Sequence, residues 1–256
     1  MTYFFKLKKS FEFQTSELKQ IFVSSILFGF ILSFRKWGIE SFEAATGINN
    51  WIFASASVFI VMFTHISIQK LYAAKEGYVI HYSWWFQGIL IGLFISFLSF
   101  GFIPFLYPGT LRFGHIKTLR LGKFRHGTNI KDLAFSSLAG VLANIFLALI
   151  FGVIYLRSGN LWILYFIKIN FIYAFFSLLP LPKISGLRFE GGTTAGFNIF
   201  FFSRPLYMFI FSTLFAYSAI VFWAITILGS LMVLIISLFI GLVATYFFLK
   251  VVEGSF

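Results

Sequence analysis

The residues best placed to do chemistry stand in Val61–Tyr78, which reads V-M-F-T-H-I-S-I-Q-K-L-Y-A-A-K-E-G-Y. His65 and Gln69 are four residues apart, so on a helix they share one face. An imidazole followed at i+4 by a second ligand, inside a helix, is how H-E-x-x-H holds a zinc ion with its Glu as general base. Here the same frame reads H-I-S-I-Q. Ile66 stands where the base would be, and Gln69 stands where the second imidazole would be. Lys70, Lys75 and Glu76 predict an exit to water, and Gly77 predicts the helix end. His81, His115 and His126 fall in polar stretches and are read as solvated or interfacial. A site rebuilt from His65, His81 and His115 is the alternative.

The elements that must hold these residues are membrane helices. The chain of 256 residues is 59% hydrophobic and only 11% charged, too apolar to cover a soluble surface. Its apolar residues come in long uncharged runs, as membrane spans do. The net charge of +12 gathers between those runs, which points to loops beside anionic lipid and away from nucleic acid. With no cysteine there is neither a disulfide nor a thiolate metal site. The start, M-T-Y-F-F-K-L-K-K-S, lacks the pattern of a cleaved leader, so the first span is expected to act as an uncleaved insertion signal.

In chain order, residues 1–20 mix Lys6, Lys8, Lys9 and Lys19 with Glu12 and Glu17 and form a cytoplasmic, interfacial segment, with Thr15 or Ser16 as the helix cap. Residues 21–228 form the membrane domain. Its first span runs from Leu18 to Trp37 and its second from Trp51 to Gln69, after a polar connection over residues 35–50. Phe86 to Tyr107 is apolar but broken by glycines and Pro104, and Pro108-Gly109 marks a turn. Leu133 to Leu156 and Leu161 to Leu181 are spans, joined tightly through Arg157-Ser158-Gly159-Asn160. Lys168 and Asn170 interrupt the second of these, and Lys168 is expected to snorkel outward. A Gly- and Thr-rich loop, Leu187 to Asn198 and on to about Pro205, is read as a flexible gate. The uncharged run Leu206 to Leu249 is too long for one span and breaks at Gly229-Ser230. Residues 229–256 are therefore an extra C-terminal helix and tail.

The basic residues decide the topology of the broken run. If Phe86 to Tyr107 crosses the membrane, lysines and arginines divide between both sides. If it dips in and returns, one side keeps Arg35, Lys36 and Arg157, and nearly all the rest lie on the other. The positive-inside rule selects the second arrangement. The reading is an all-α polytopic bundle of six spans plus a re-entrant hairpin, in the cytoplasmic membrane, with both termini cytoplasmic.

Four segments resemble, in order, the site-2 protease family of intramembrane zinc metalloproteases, especially its archaeal-type branch. They are T-H-I-S-I-Q-K-L-Y-A-A-K-E-G-Y, Gly101 to Phe113 (G-F-I-P-F-L-Y-P-G-T-L-R-F), Leu138 to Asn144 (L-A-G-V-L-A-N) and Phe176 to Gly186 (F-S-L-L-P-L-P-K-I-S-G), within roughly residues 15 to 225. The resemblance implies a helical bundle with a metal site between two helices, held by the two His of H-E-x-x-H and the Asp of L-D-G. His65 matches the first ligand. Gln69 and Ser185 replace the other two, Ile66 replaces the general base, and Ser177 replaces the Asn of N-x-x-P.

The departures fall on the chemistry. A neutral amide oxygen and an un-ionised hydroxyl are poor zinc ligands, and Ile66 cannot take a proton from a bound water. These vestigial positions predict no metal, no cofactor and no intact catalytic residue. His65, Gln69 and Ser185 are expected to hydrogen-bond one another instead. The function this implies is a pseudoprotease that binds or regulates transmembrane partner helices without intramembrane proteolysis. One alternative is an active intramembrane zinc peptidase with altered ligands. The other is a transporter or channel, which would carry paired broken helices in inverted repeats. The sequence has one interrupted run, at 86–107, and no matching second.

Overall fold

A computed structural model describes residues 7, 11–38, 42–116, 129–181, 193–224 and 230–254 of the chain. Among these described residues, six helical segments are long and apolar enough to cross a membrane: Thr15–Trp37, Ala44–Glu76, Ile130–Ser158, Leu161–Leu178, Arg204–Val221 and Met232–Val251. The protein is an all-α polytopic integral membrane protein.

The elements are α1 (Thr15–Ser33, extended by a 3-10 turn over Phe34–Trp37), α2 (Ala44–Glu76), β1 (Tyr78–Ser83), α3 (Phe86–Leu98), β2 (Thr110–His115), α4 (Ile130–Ser158), α5 (Leu161–Leu178), α6 (Ala195–Phe202), α7 (Arg204–Ala224) and α8 (Ser230–Val251). Local chemistry sets several boundaries. Gly77 ends α2 in the left-handed conformation that glycine adopts most easily (φ 88°). Side-chain oxygens of Asn129 and Asn160 accept from Lys131 N–H (3.0 Å) and Trp162 N–H (2.9 Å), capping α4 and α5.

α5 is wedged between two cores. Phe166, Ile169 and Tyr173 join Ile21, Phe28, Val58 and Met62 in one cluster. Ile167, Phe171, Ala174 and Leu178 join Val141, Ile199, Leu214 and Val233 in the other. α5 thus buries both flanks in protein. Outer helices such as α8 keep many large apolar side chains exposed, among them Ile235, Phe239 and Leu242, as a surface facing lipid does.

The broken apolar run is a hairpin that returns. β1 and β2 pair antiparallel from Tyr78↔His115 to Ser83↔Thr110, so the segment between them leaves and re-enters at one end of the bundle. α3 runs beside α1. At its base, Trp84 N–H donates to Gln20 Oε1 (3.1 Å), and at its tip Gly101 lies against Phe34 and Arg35. From Gln20 to Arg35 is about 22 Å at 1.5 Å per residue. The hairpin therefore reaches most of the way along α1 before the chain turns at Phe100 and Gly101 (φ 49° and 73°).

Several expectations change. β1 and β2 lie at Tyr78–Ser83 and Thr110–His115, in stretches whose polar residues read as loops. α2 begins at Ala44 and ends at Glu76, so it takes in part of the expected polar connection and the expected exit to water. Its Lys70 is fully buried, not solvated, and so is Glu17, which had been assigned to the interfacial segment. α1 is capped at Gln14, ahead of Thr15 and Ser16, because the Glu17 carboxylate accepts from Gln14 N–H (2.9 Å). The stretch read as one loop up to Pro205 contains α6.

A buried polar centre as candidate functional site

α2 carries His65 and Gln69 on one face, as their spacing requires, and that face packs on α4. All the polar side chains here are buried: His65, Gln69, Asn144 and Ser177. The close approach depends on Gly140. A Cβ there would come within 2.7 Å of Gln69 Cγ, so any larger residue would push the Gln69 side chain away.

The His65 ring is held on three sides. Its Nε2 is 3.0 Å from the Gln69 amide nitrogen, its Nδ1 is 3.0 Å from the Asn144 amide, and the Tyr173 ring meets it edge-on at 5.3 Å. A neutral imidazole has one donor and one acceptor nitrogen. Gln69 Nε2 also donates to the Ser137 carbonyl (3.3 Å), which fixes its NH₂ toward His65 Nε2. Nε2 is then the acceptor, and Nδ1 carries the proton on the side facing Asn144 Nδ2 and the Gly140 backbone. The polar chain continues beyond Ser137. Its hydroxyl accepts from Asn198 Nδ2 (2.8 Å), Asn198 Oδ1 accepts from Thr193 Oγ1 (2.5 Å), and Thr193 bridges Leu111 of β2.

Beside the imidazole lies a cavity of about 20 Å³ lined by His65, Ile66, Gln69, Tyr82, Tyr173 and Ser177, with Pro108 and Gly109 from the returning arm of the hairpin. That volume admits about one water molecule. Four of the five singled-out positions, His65, Ile66, Gln69 and Ser177, therefore converge on one point. Ser185 lies outside the described residues. Ser177 does not turn its hydroxyl to His65 but donates to the Ala174 carbonyl (2.7 Å) within its own helix. Gly109 has φ 87°, and a Cβ there would strike the Tyr82 ring and hydroxyl. Burial pushes the Tyr82 phenol well above its ordinary range, and that of Tyr107 likewise.

The other candidates sit apart from this centre. His81 pairs with Arg112 across the sheet, and its Nδ1 is 3.8 Å from Glu17 Oε1. His115 lies at the far end of the same strand pair, its ring 5.1 Å from that of Tyr78. His126 is outside the described residues. Among the described residues, no three His, Asp or Glu side chains gather as metal ligands, so His65, His81 and His115 do not form one set.

Zinc, the metal the resemblance implies, does not fit the described residues here. Both His65 nitrogens are engaged by amides, Gln69 turns its NH₂ to the ring, and the cavity wall is otherwise hydroxyl and apolar. What the arrangement can do is hold one neutral imidazole rigidly in the hydrocarbon region with its hydrogen bonds satisfied. No protein-family model matches the chain, and no curated protein or solved structure matches it.

Three parts of the site escape a reading by motif. Asn144 had been noted as the end of a small-residue stretch, and its lone amide in an apolar helix was the available signal. Tyr82 and Tyr173 carry no spacing that links them to His65. The third, Glu17, lies outside the cavity but orders its wall. It accepts from Tyr82 N–H (2.6 Å) and pairs with Lys70 Nζ (2.9 Å).

Proposed function

We propose that this protein is a catalytically silent relative of intramembrane metalloproteases, which engages transmembrane helices of partner proteins without cutting them. The observation that carries this reading is the convergence of His65, Ile66, Gln69 and Ser177 on one buried cavity beside a returning hairpin. Those positions belong to the region where the resemblance puts a metal centre, and there Gln69 replaces a ligand and Ile66 replaces the base. An amide network fills the place of the coordination bonds. In this reading the bundle lies in the cytoplasmic membrane with both termini cytoplasmic, and the hairpin and small-residue faces remain to receive a helix.

The test is the metal content of the detergent-purified protein after growth with zinc, beside a His65→Ala variant. The expected result is the same low zinc in both, with the wild-type fold intact by circular dichroism. Near-stoichiometric zinc that vanishes in His65→Ala would overturn the reading in favour of a metallopeptidase with altered ligands. Site-directed photocrosslinking from Ile66 or Gly109 in cells should then trap membrane-embedded helices of intact, uncleaved length. Trapping of cleaved fragments would also count against it.

A further inference from the structure

The end of the bundle away from the sheet carries a basic site at the level of an aromatic belt. Trp37 and Trp51 lie 6.4 Å apart there, and Trp162 packs on Phe53 of α2 at 4.6 Å. Tryptophans at helix ends mark the edge of the hydrocarbon layer. Just inside this belt Lys36 reaches Tyr165 on α5, one helical turn from Lys168. The Lys36 ammonium sits 2.9 Å from the centre of the Tyr165 ring on α5. Lys168 stands three residues along from Tyr165 on the same helical face, near enough for its charge to repel that of Lys36. Both lysines are half-buried. Arg35 forms the exposed rim, its guanidinium 3.8 Å over the Phe102 ring at the hairpin tip.

Two like charges held together at the hydrocarbon edge repel in a medium that screens poorly, and an anion between them reverses the sign of that interaction. Basic pockets between spans that take anionic lipid headgroups are built this way. We propose that Lys36 and Lys168 bind the phosphate of an anionic phospholipid, with Arg35 at the rim and the acyl chains on the exposed apolar surface around them. The Tyr165 ring holds the Lys36 ammonium in place by a cation–π contact. A free phosphate offers the same charge without chains to anchor it at this depth.

The experiment titrates the purified full-length protein in uncharged detergent with short-chain phosphatidylglycerol, short-chain phosphatidylcholine or inorganic phosphate, reading the unfolding midpoint, with bound lipid counted by native mass spectrometry. Phosphatidylglycerol should raise the midpoint and be retained, whereas phosphatidylcholine and inorganic phosphate should not act. Lys36→Gln and Lys168→Gln should each weaken the response about fivefold, and the double variant should abolish it. Without anionic lipid, both variants should unfold within a few degrees of the wild-type temperature, so that the lost response to phosphatidylglycerol is separable from any change in basal stability. Lys131→Gln, an exposed lysine at the opposite end, should leave the response intact. Three outcomes would overturn the proposal. One is an equal response to phosphatidylcholine, and another is a shift produced by inorganic phosphate alone. The third is a loss of stability in Lys36→Gln that is the same with and without phosphatidylglycerol, which would make the lysine structural.

Discussion

Replacing Lys70 by methionine tests whether an ion pair inside the bundle fixes the sheet to the helices. Lys70 and Glu17 are 0% and 2% exposed, and their charged atoms are 2.9 Å apart. The Glu17 carboxylate also accepts from Gln14 N–H and Tyr82 N–H, and Lys70 donates a second bond to the Glu12 carbonyl (2.8 Å) beneath the Phe13 ring. One carboxylate thus ties α1, α2 and β1 together. Lys70→Met keeps the volume but leaves a buried carboxylate with two backbone donors and the His81 ring 3.8 Å away. Glu17→Gln keeps the shape, but it removes the charge from the ammonium's partner and sets an NH₂ against a donor, Tyr82 N–H when the amide oxygen stays with Lys70 and Gln14. Removing one member of such a pair costs about 3–5 kcal/mol. The double variant Glu17→Gln/Lys70→Met leaves no uncompensated charge. It should lose only about 1–2 kcal/mol, giving a coupling of several kcal/mol between the sites. The assay is unfolding in mixed detergent micelles by titration with a denaturing detergent, read by proteolytic susceptibility of the 78–115 region. If each single variant lost less than about 1 kcal/mol, or the double loss equalled the sum of the singles, the pair would not be the fastening described.

Three further outcomes follow from other contacts. Gly140→Leu should displace Gln69, cost about 1–3 kcal/mol and abolish the hydrogen-bonded imidazole signal of His65 in a nitrogen-15 NMR spectrum, where wild type should show a neutral ring protonated at Nδ1. Since the chain has no cysteine, single-cysteine variants report topology directly. Gly114→Cys and Lys131→Cys should label from one side of the membrane and Gly159→Cys from the other, and labelling of all three from one side would refute the arrangement. In alkaline titration, Tyr82 and Tyr107 should resist ionisation. Their folded pKa values are raised above the unfolded value of about 10, so the stability they contribute is whole below that pH and is lost as pH rises beyond it. Tyr82→Phe should flatten that alkaline decline.

Much of the helical architecture is legible in the sequence because a bilayer enforces it. Uncharged runs of about 20 residues have few other places to go. The return of the 86–107 run is legible too, since the distribution of lysine and arginine is an independent record of sidedness. The sheet is hidden for a local reason. Tyr78–Ser83 alternates buried and half-buried positions, but His81 and Ser83 give its outward face the look of a loop. The burial of Lys70 is hidden for a long-range reason. Its charge signals water until it is matched with Glu17, which lies on another helix in the N-terminal segment read as interfacial. At the polar centre, spacing alone joined His65 to Gln69. Asn144 reaches the ring through helix packing that Gly140 permits, and a pattern within one segment does not encode a contact between two.

The length of α2 sets where the polar centre sits in depth. At 1.5 Å per residue its 33 residues extend about 50 Å, against a hydrocarbon layer of about 30 Å. The helix must therefore cross obliquely or stand proud of the bilayer on the sheet-bearing face. From Trp51, at the aromatic belt, to His65 is a rise of about 21 Å. The imidazole thus lies about 6 Å past the midplane, on the sheet-bearing half, with about 9 Å of hydrocarbon between it and the opposite edge. A small hydrophilic reagent added on the sheet-bearing face has a path of only two helical turns to the cavity, while one added on the tryptophan face must traverse most of the lipid. A helix docked at this cavity would be touched about one turn past its middle, on the sheet-bearing half.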